Sequence, residues 1–197
     1  MTDDPMYLEA IDRFAAVIAE AKQLDLKDPT VMALATVGVD GRPSVRMVLM
    51  RGFDERGINF FTNVGSRKGQ ELAANTIAAV CFHWEPLLKQ IRIEGAVEMV
   101  SDEETDAYWN SRPRDSRIGA WASDQSQPLD RRETLEARVA EFDAKFPGDD
   151  IPRPDFWRGY RIIPDRIEFW HSRNARLHDR EVYERTANVW TRMRLYP

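Results

Sequence analysis

The chain has 197 residues, 43% hydrophobic and 31% charged, which suits a folded protein with a substantial core and excludes a wholly disordered one. Lys and Arg number 28 against 33 Asp and Glu, a net charge of −5, which argues against a nucleic-acid protein that binds through bulk charge. Of the basic residues 23 are Arg and only 5 are Lys. Most of that excess reads as compositional bias, but the planar guanidinium grips phosphate with two bonds, so the places where Arg clusters matter.

The first predicted element is an amphipathic helix from about residue 5 to 24, started by Asp4-Pro5, with Leu8, Ile11, Phe14, Ala15, Ile18 and Ala21 at helical spacing. Strands follow at Val31–Val37, Ser44–Met50 and Ile58–Thr62, joined by Asp40-Gly41 and by a charged turn at residues 54–57. They are expected to form a three-stranded antiparallel meander. Ser66 then caps a short helix to Asn75. Strands at Ile77–His83 and Lys89–Val100 precede helices at Asp102–Trp109 and about Leu129–Phe146. The rest reads as strands at Trp157–Ile163, Arg166–His171, Val182–Arg185 and Val189–Leu195. Neither repeat nor domain boundary is evident, and the expected architecture is mainly β with α, an antiparallel barrel with flanking helices.

Several functional classes drop out. No run approaches the roughly 18 apolar residues of a membrane span. The acidic start, Met1 to Pro5, does not resemble a signal peptide, so a cytoplasmic protein is expected. Cys81, alone and within the apolar run 79–82, is expected in the core. Three His and one Cys, scattered, give no metal-ligand spacing.

Three segments stand out as candidate anion sites. Gly65-Ser66-Arg67-Lys68 puts two cations at a helix start, against the helix dipole, where backbone amides already favour a phosphate, although two solvated surface cations would read the same. Ser111-Arg112-Pro113-Arg114-Asp115-Ser116-Arg117 carries three Arg and two hydroxyls, enough for a doubly charged phosphate, although a polar loop between helices has the same composition. In an extended segment, Arg176, His178 and Arg180 would share one face, an anionic-ligand pattern with His as proton carrier, although a charged edge strand has the same composition. Arg46 and Arg51 bound a strand; five residues apart, they point to opposite faces unless a bulge, the strand end or a second chain intervenes.

Together with Phe60-Phe61-Thr62-Asn63, Gln90, Ile118-Gly119-Ala120-Trp121, Gln125-Ser126, Ile167-Glu168-Phe169-Trp170 and Arg194-Leu195, these strings resemble the pyridoxamine 5'-phosphate oxidase family, from about Pro29 to the end. The resemblance implies an FMN-binding split β-barrel with Greek-key-like connections, working as a homodimer with FMN at the interface. It implies one domain over 1–197, with a dimerisation and substrate segment from about 155 to 197. It assigns FMN to Arg46, Met47, Phe61, Thr62, Arg67, Lys68, Gln90, Gln125, Ser126, Trp170 and Arg180. The substrate phosphate falls to Arg51, Tyr108, Arg112 and Ser116, and the substrate ring to Arg176 and His178, the pair nearest the chemistry. Arg51 stands where the family usually has Lys. The implied activity is oxidation of pyridoxamine or pyridoxine 5'-phosphate to pyridoxal 5'-phosphate, with oxygen reduced to hydrogen peroxide. Two rival readings are an oxidase like those of phenazine biosynthesis on the same barrel, and a flavin or B6-phosphate binding protein without turnover.

Overall fold

The computed structural model describes residues 4–197. Met1, Thr2 and Asp3 of the acidic start lie outside the described residues. Helix α1 (Pro5–Lys22) begins where Asp4 accepts from the Met6 amide at 2.9 Å and Pro5 occupies the first turn. Its apolar stripe of Tyr7, Ala10, Ile11, Phe14, Val17, Ile18 and Ala21 is buried. Each fully buried large apolar side chain of this kind stabilises by roughly 1.5–3 kcal/mol.

Nine strands form one antiparallel sheet: β1 (Val31–Val37), β2 (Pro43–Leu49), β3 (Gly52–Asp54), β4 (Gly57–Asn63), β5 (Ile77–Trp84), β6 (Lys89–Met99), β7 (Trp157–His171), β8 (Asp179–Thr186) and β9 (Val189–Leu195). The main path runs β2-β1-β5-β6-β7-β4-β3, and β8 pairs with β7 and β9. Alternation in β1 buries Met32, Leu34 and Thr36; in β5 it buries Ala78, Val80, Phe82 and Trp84. The sheet curls into a half-barrel around this core, with α1 packed over it through Tyr7 on Trp190 and Phe14 on Phe82.

Helices α2 (Arg67–Ala74), α3 (Asp102–Ser111), α4 (Arg114–Ala122) and α5 (Arg132–Lys145) complete the chain. A second apolar cluster joins α3, α4 and the 146–157 segment to the sheet through Trp109, Ile118, Ile151 and Trp157. The Trp109 indole donates to the Ile151 carbonyl at 2.7 Å, so burying its N–H leaves no unpaired donor.

The mixed β-with-α class stands, as do most elements, and four details differ from the expectation. The first three long strands make no meander: β1 and β2 form a hairpin, but β4 lies across the sheet beside β7. Residues 114–122 are helical rather than a polar loop, because Ile118 and Ala122 repeat one turn apart and both are buried. The two strands expected between 157 and 171 are one continuous 15-residue strand with an irregularity at Asp165, which is skipped in the pairing as Glu94 faces Arg166 and Gly95 faces Pro164. Cys81 is half-buried on β5 rather than in the core, and burial raises its thiol pKa.

Gly95 makes that long β6–β7 pairing possible. A Cβ there would sit 1.9 Å from the Ile163 carbonyl oxygen. Gly95→Ala is expected to lose at least about 2 kcal/mol of stability, a melting temperature lower by roughly 4–8 °C. An unchanged thermal melt would show that the two strands can part at no cost.

Candidate functional site

The larger cavity, about 720 Å³, opens between β2, β4, the start of α2, and the α3–α4 corner. Two sets of cations line it. Arg46 and Lys68 are electrostatic neighbours, as are Arg51 and Arg112. Between the elements that carry them stand the rings of Tyr108, Phe61 and Trp157, with Phe61 4.2 Å from Tyr108 and 5.2 Å from Trp157, centroid to centroid.

At the start of α2 the expected cap forms. The Ser66 hydroxyl accepts from the Gly69 amide and caps the helix, placing Arg67 and Lys68 in its first turn. The two cations then diverge. Lys68 is buried, 9% exposed, and its ammonium donates to Thr62 Oγ1 and Gln125 Oε1, each at 3.0 Å. Burial and, next, the charge of Arg46 lower its pKa, and the nearby Glu71 carboxylate offsets them only in part. Arg67 stays largely exposed and donates its Nε to Glu71 Oε1 at 2.8 Å, leaving the guanidinium fork outermost.

Glu71, which the sequence reading did not single out, organises this wall. It is 7% exposed. Its Oε2 accepts from Thr36 at 2.5 Å, Ser44 at 2.6 Å and Arg46 at 3.0 Å. Arg46 also donates to Thr36 Oγ1 and the Leu34 carbonyl, so its terminal nitrogens are held from within. Burial works against the charged carboxylate, but hydrogen bonds from Ser44, Thr36, Arg67 and Arg46 overcome it and bring its pKa down to about 2. The Arg67–Glu71 spacing of one helical turn was the available sequence signal.

Arg46 and Arg51 line the same cavity despite their five-residue spacing. Strand β2 ends at Leu49, and Arg51 follows the turn, its amide donating to the Asn59 carbonyl at 2.8 Å and its guanidinium 3.6 Å from Asp28. The strand-end alternative is therefore the one the chain adopts.

The Ser111–Arg117 segment divides. Arg112, Ser111 and Ser116 line the cavity. Arg112 lies over the Trp157 ring at 4.7 Å, and its NH1 is buried without a hydrogen-bond partner. Arg114 and Arg117 turn away: Arg114 NH2 donates to the Phe146 carbonyl at 2.6 Å and Arg117 NH1 to the Asp149 carbonyl at 2.8 Å. The expectation of three arginines at one anion is corrected to one, because the 146–149 carbonyls claim the other two.

A second cavity, about 510 Å³, lies between α1, the start of β6, the end of β7 and β8. Gln90 pairs with Trp170 across β6–β7, and Trp170 with Arg180 across β7–β8, so three of the FMN candidates form one row. His178 packs on Trp170 at 4.6 Å and accepts from the Arg173 amide at 3.1 Å. Arg176, His178 and Arg180 do not share an extended face. Residues 174–176 form a tight turn with Ala175 and Arg176 at positive φ, and β8 begins only at Asp179.

Of the candidates, Arg46, Met47, Phe61, Thr62, Lys68, Gln125, Arg51, Tyr108, Arg112 and Ser116 line the first cavity. Gln90, Trp170, His178 and Arg180 line the second, and no residue lines both. Arg67, Ser126 and Arg176 line neither. Ser126 sits at φ 72° in the turn that closes when the Gln127 amide reaches the Asp124 carbonyl.

A curled antiparallel half-barrel carries a cavity whose wall joins paired cations to stacked rings, a lining chemically suited to an anionic ring compound. Residues 18–146 match the family described as pyridoxamine 5'-phosphate oxidase, and residues 157–197 the pyridoxine 5'-phosphate oxidase C-terminal dimerisation region. The chain belongs to the pyridoxamine 5'-phosphate oxidase family. It is 56% identical over 189 residues to a pyridoxine/pyridoxamine 5'-phosphate oxidase of Myxococcus xanthus strain DK1622, covering 96% of this chain and 92% of that one. The enzyme of the same name from Sphingopyxis alaskensis is 54% identical over 197 residues, covering 100% of this chain and 89% of the other. Among solved structures, PhzG from Burkholderia lata 383, in complex with tetrahydrophenazine-1-carboxylic acid, superposes with a TM-score of 0.90 at 36% identity, covering 98% of this chain and 96% of that one.

The depressed pKa of Glu71 has a stability consequence whose sign follows from linkage. A carboxylate ordinarily near 4.5 and held at about 2 in the fold contributes stability above pH 4.5, lost as pH falls through 2. Glu71→Gln is expected to be less stable than the parent by about 2 kcal/mol at neutral pH. Urea unfolding of both proteins, from neutral pH to about pH 2.5, should show that gap narrowing only below 4.5. A gap constant to the acid end would mean that the charge of Glu71 contributes nothing.

Proposed function

We propose that this protein is an FMN-dependent oxidase that converts pyridoxamine or pyridoxine 5'-phosphate to pyridoxal 5'-phosphate. For the alcohol, CH₂OH and O₂ give CHO and H₂O₂; for the amine, CH₂NH₂, O₂ and H₂O give CHO, NH₃ and H₂O₂. The observation that carries the reading is the pairing of two cation sets, Arg46–Lys68 and Arg51–Arg112, within one ring-lined cavity. Two phosphates are what such a wall suits.

The residues fit the cofactor. The buried Lys68 ammonium, with its pKa lowered, and the outward fork of Arg67 are suited to the FMN phosphate at the start of α2, where the helix amides add their own attraction. FMN, when bound, supplies the two-electron acceptor that no side chain can provide. Arg112, with its unpaired NH1, takes the substrate phosphate together with Ser116, Tyr108 and Arg51. Gln90, Trp170, Arg180 and His178 lie outside this cavity, so we propose that a second copy brings them to it, in a homodimer built through the 157–197 region. In that arrangement Arg176 and His178 orient the polar groups of the substrate ring, and closure excludes water from the reacting carbon. Ser126 belongs with the FMN residues through its neighbour Gln125, which already bonds Lys68.

Two measurements test this. The purified protein should be yellow, and pyridoxine 5'-phosphate should yield aldehyde and peroxide in equal amounts; bound flavin without aldehyde would defeat the oxidase reading. Arg112→Ala should raise KM roughly 10- to 100-fold, the loss of one charge-assisted contact, while flavin retention stays unchanged. A variant that sheds flavin but keeps its KM would reverse the division between the two phosphates.

A further inference from the structure

Gly119 lies inside α4, and a glycine within a helix destabilises it relative to alanine. A fold requires glycine where φ is positive or where another group presses too close for a Cβ. Neither holds here. The glycines at positive φ are Gly41 and Gly57 among the described residues. A Cβ built on Gly119 meets nothing within 4 Å, whereas one on Gly95 or Gly159 would collide at 1.9 Å or 2.3 Å. Packing within this chain therefore gives no reason for the missing side chain.

The empty space in front of Gly119 is the larger cavity. One helical turn before it, Ser116 lines the same cavity, and one turn after it, so does Ser123. The face of α4 between these hydroxyls is thus kept bare beside Arg112 and Tyr108. A stability cost without a packing return, facing a binding cavity, marks a position set by the ligand.

We infer that Gly119 is a specificity-determining residue: its missing side chain leaves room for the pyridine ring of the B6 phosphate beside α4. The inference rests on the substrate reading proposed above. Any side chain at this position takes volume from the ring without disturbing the fold, and the loss grows with its size.

The test compares the parent holoenzyme with Gly119→Ala and Gly119→Leu, measuring melting temperature, flavin Kd by fluorescence quenching, pyridoxal 5'-phosphate Kd by equilibrium dialysis, and KM for pyridoxine 5'-phosphate. Gly119→Ala should melt roughly 1–4 °C higher. Its KM and pyridoxal 5'-phosphate Kd should rise about tenfold, and more for Gly119→Leu. Flavin Kd should stay within about twofold of the parent, a separation that general damage to the fold would not produce. Unchanged KM and pyridoxal 5'-phosphate Kd in both variants would overturn the inference and leave the oxidase reading intact. Flavin Kd rising in step with KM would overturn it by giving the space to the flavin. A parent that neither turns over pyridoxine 5'-phosphate nor binds pyridoxal 5'-phosphate would overturn both the oxidase reading and this one.

Discussion

Glu71 stands where α2 meets the β1–β2 hairpin, and the cationic wall takes its shape from that carboxylate. Thr36 comes from β1, Ser44 and Arg46 from β2, and Arg67 from the same helix as Glu71 itself. A buried carboxylate is costly unless its lone pairs are filled, and these donors fill them. The consequence is mutual: the carboxylate needs all the donors, and each donor is fixed in direction by it. Arg46 cannot swing away from the sheet, and α2 cannot slide along the hairpin, without leaving a buried charge unpaired. The start of α2 is therefore set against the sheet by polar geometry as much as by its buried Leu72.

Much of this was legible in the chain because local rules act locally. The β1 and β9 boundaries follow from alternation, and the start of α2 from Ser66. What alternation could not give was strand order: nothing in residues 57–63 says that β4 pairs with β7, nearly a hundred residues later. Helix α4 was hidden because its polar residues outnumber the buried Ile118 and Ala122. For the site, the candidate residues came from matching motifs, and the structure sorts them by place. Ten line one cavity and four the other, a separation that one-dimensional order conceals. Glu71 escaped because an acid in a helix ordinarily reads as solvated surface, and its burial depends on strands distant in sequence.

The string Ser111–Arg117 shows why a specific motif need not be a single site. Arg112 faces the cavity, while Arg114 and Arg117 strap α4 to the carbonyls of 146–149. Those straps hold the corner at which Arg112 leaves α3, so one short string divides between lining a cavity and tying down a helix. The match to PhzG spans 98% of the chain at 36% identity, whereas the pyridoxine/pyridoxamine 5'-phosphate oxidases reach 54–56% identity over 96–100% of it.

The pairing of candidate-site arginines with carboxylates has a wider meaning. Arg46 and Arg67 lean on Glu71, Arg51 on Asp28 and Arg180 on Glu168. The protein thus carries its own counter-ions, and an arriving phosphate must compete with, or add to, a charge already balanced. A free polyanion that offers only charge gains little from such a wall, because Coulomb attraction at a distance is largely cancelled. Arg112, which rests on a tryptophan face instead of an acid, is left as the cavity's uncompensated guanidinium among those lining it with a described partner set. A cavity wall built in this way selects by shape and short-range bonding more than by net charge.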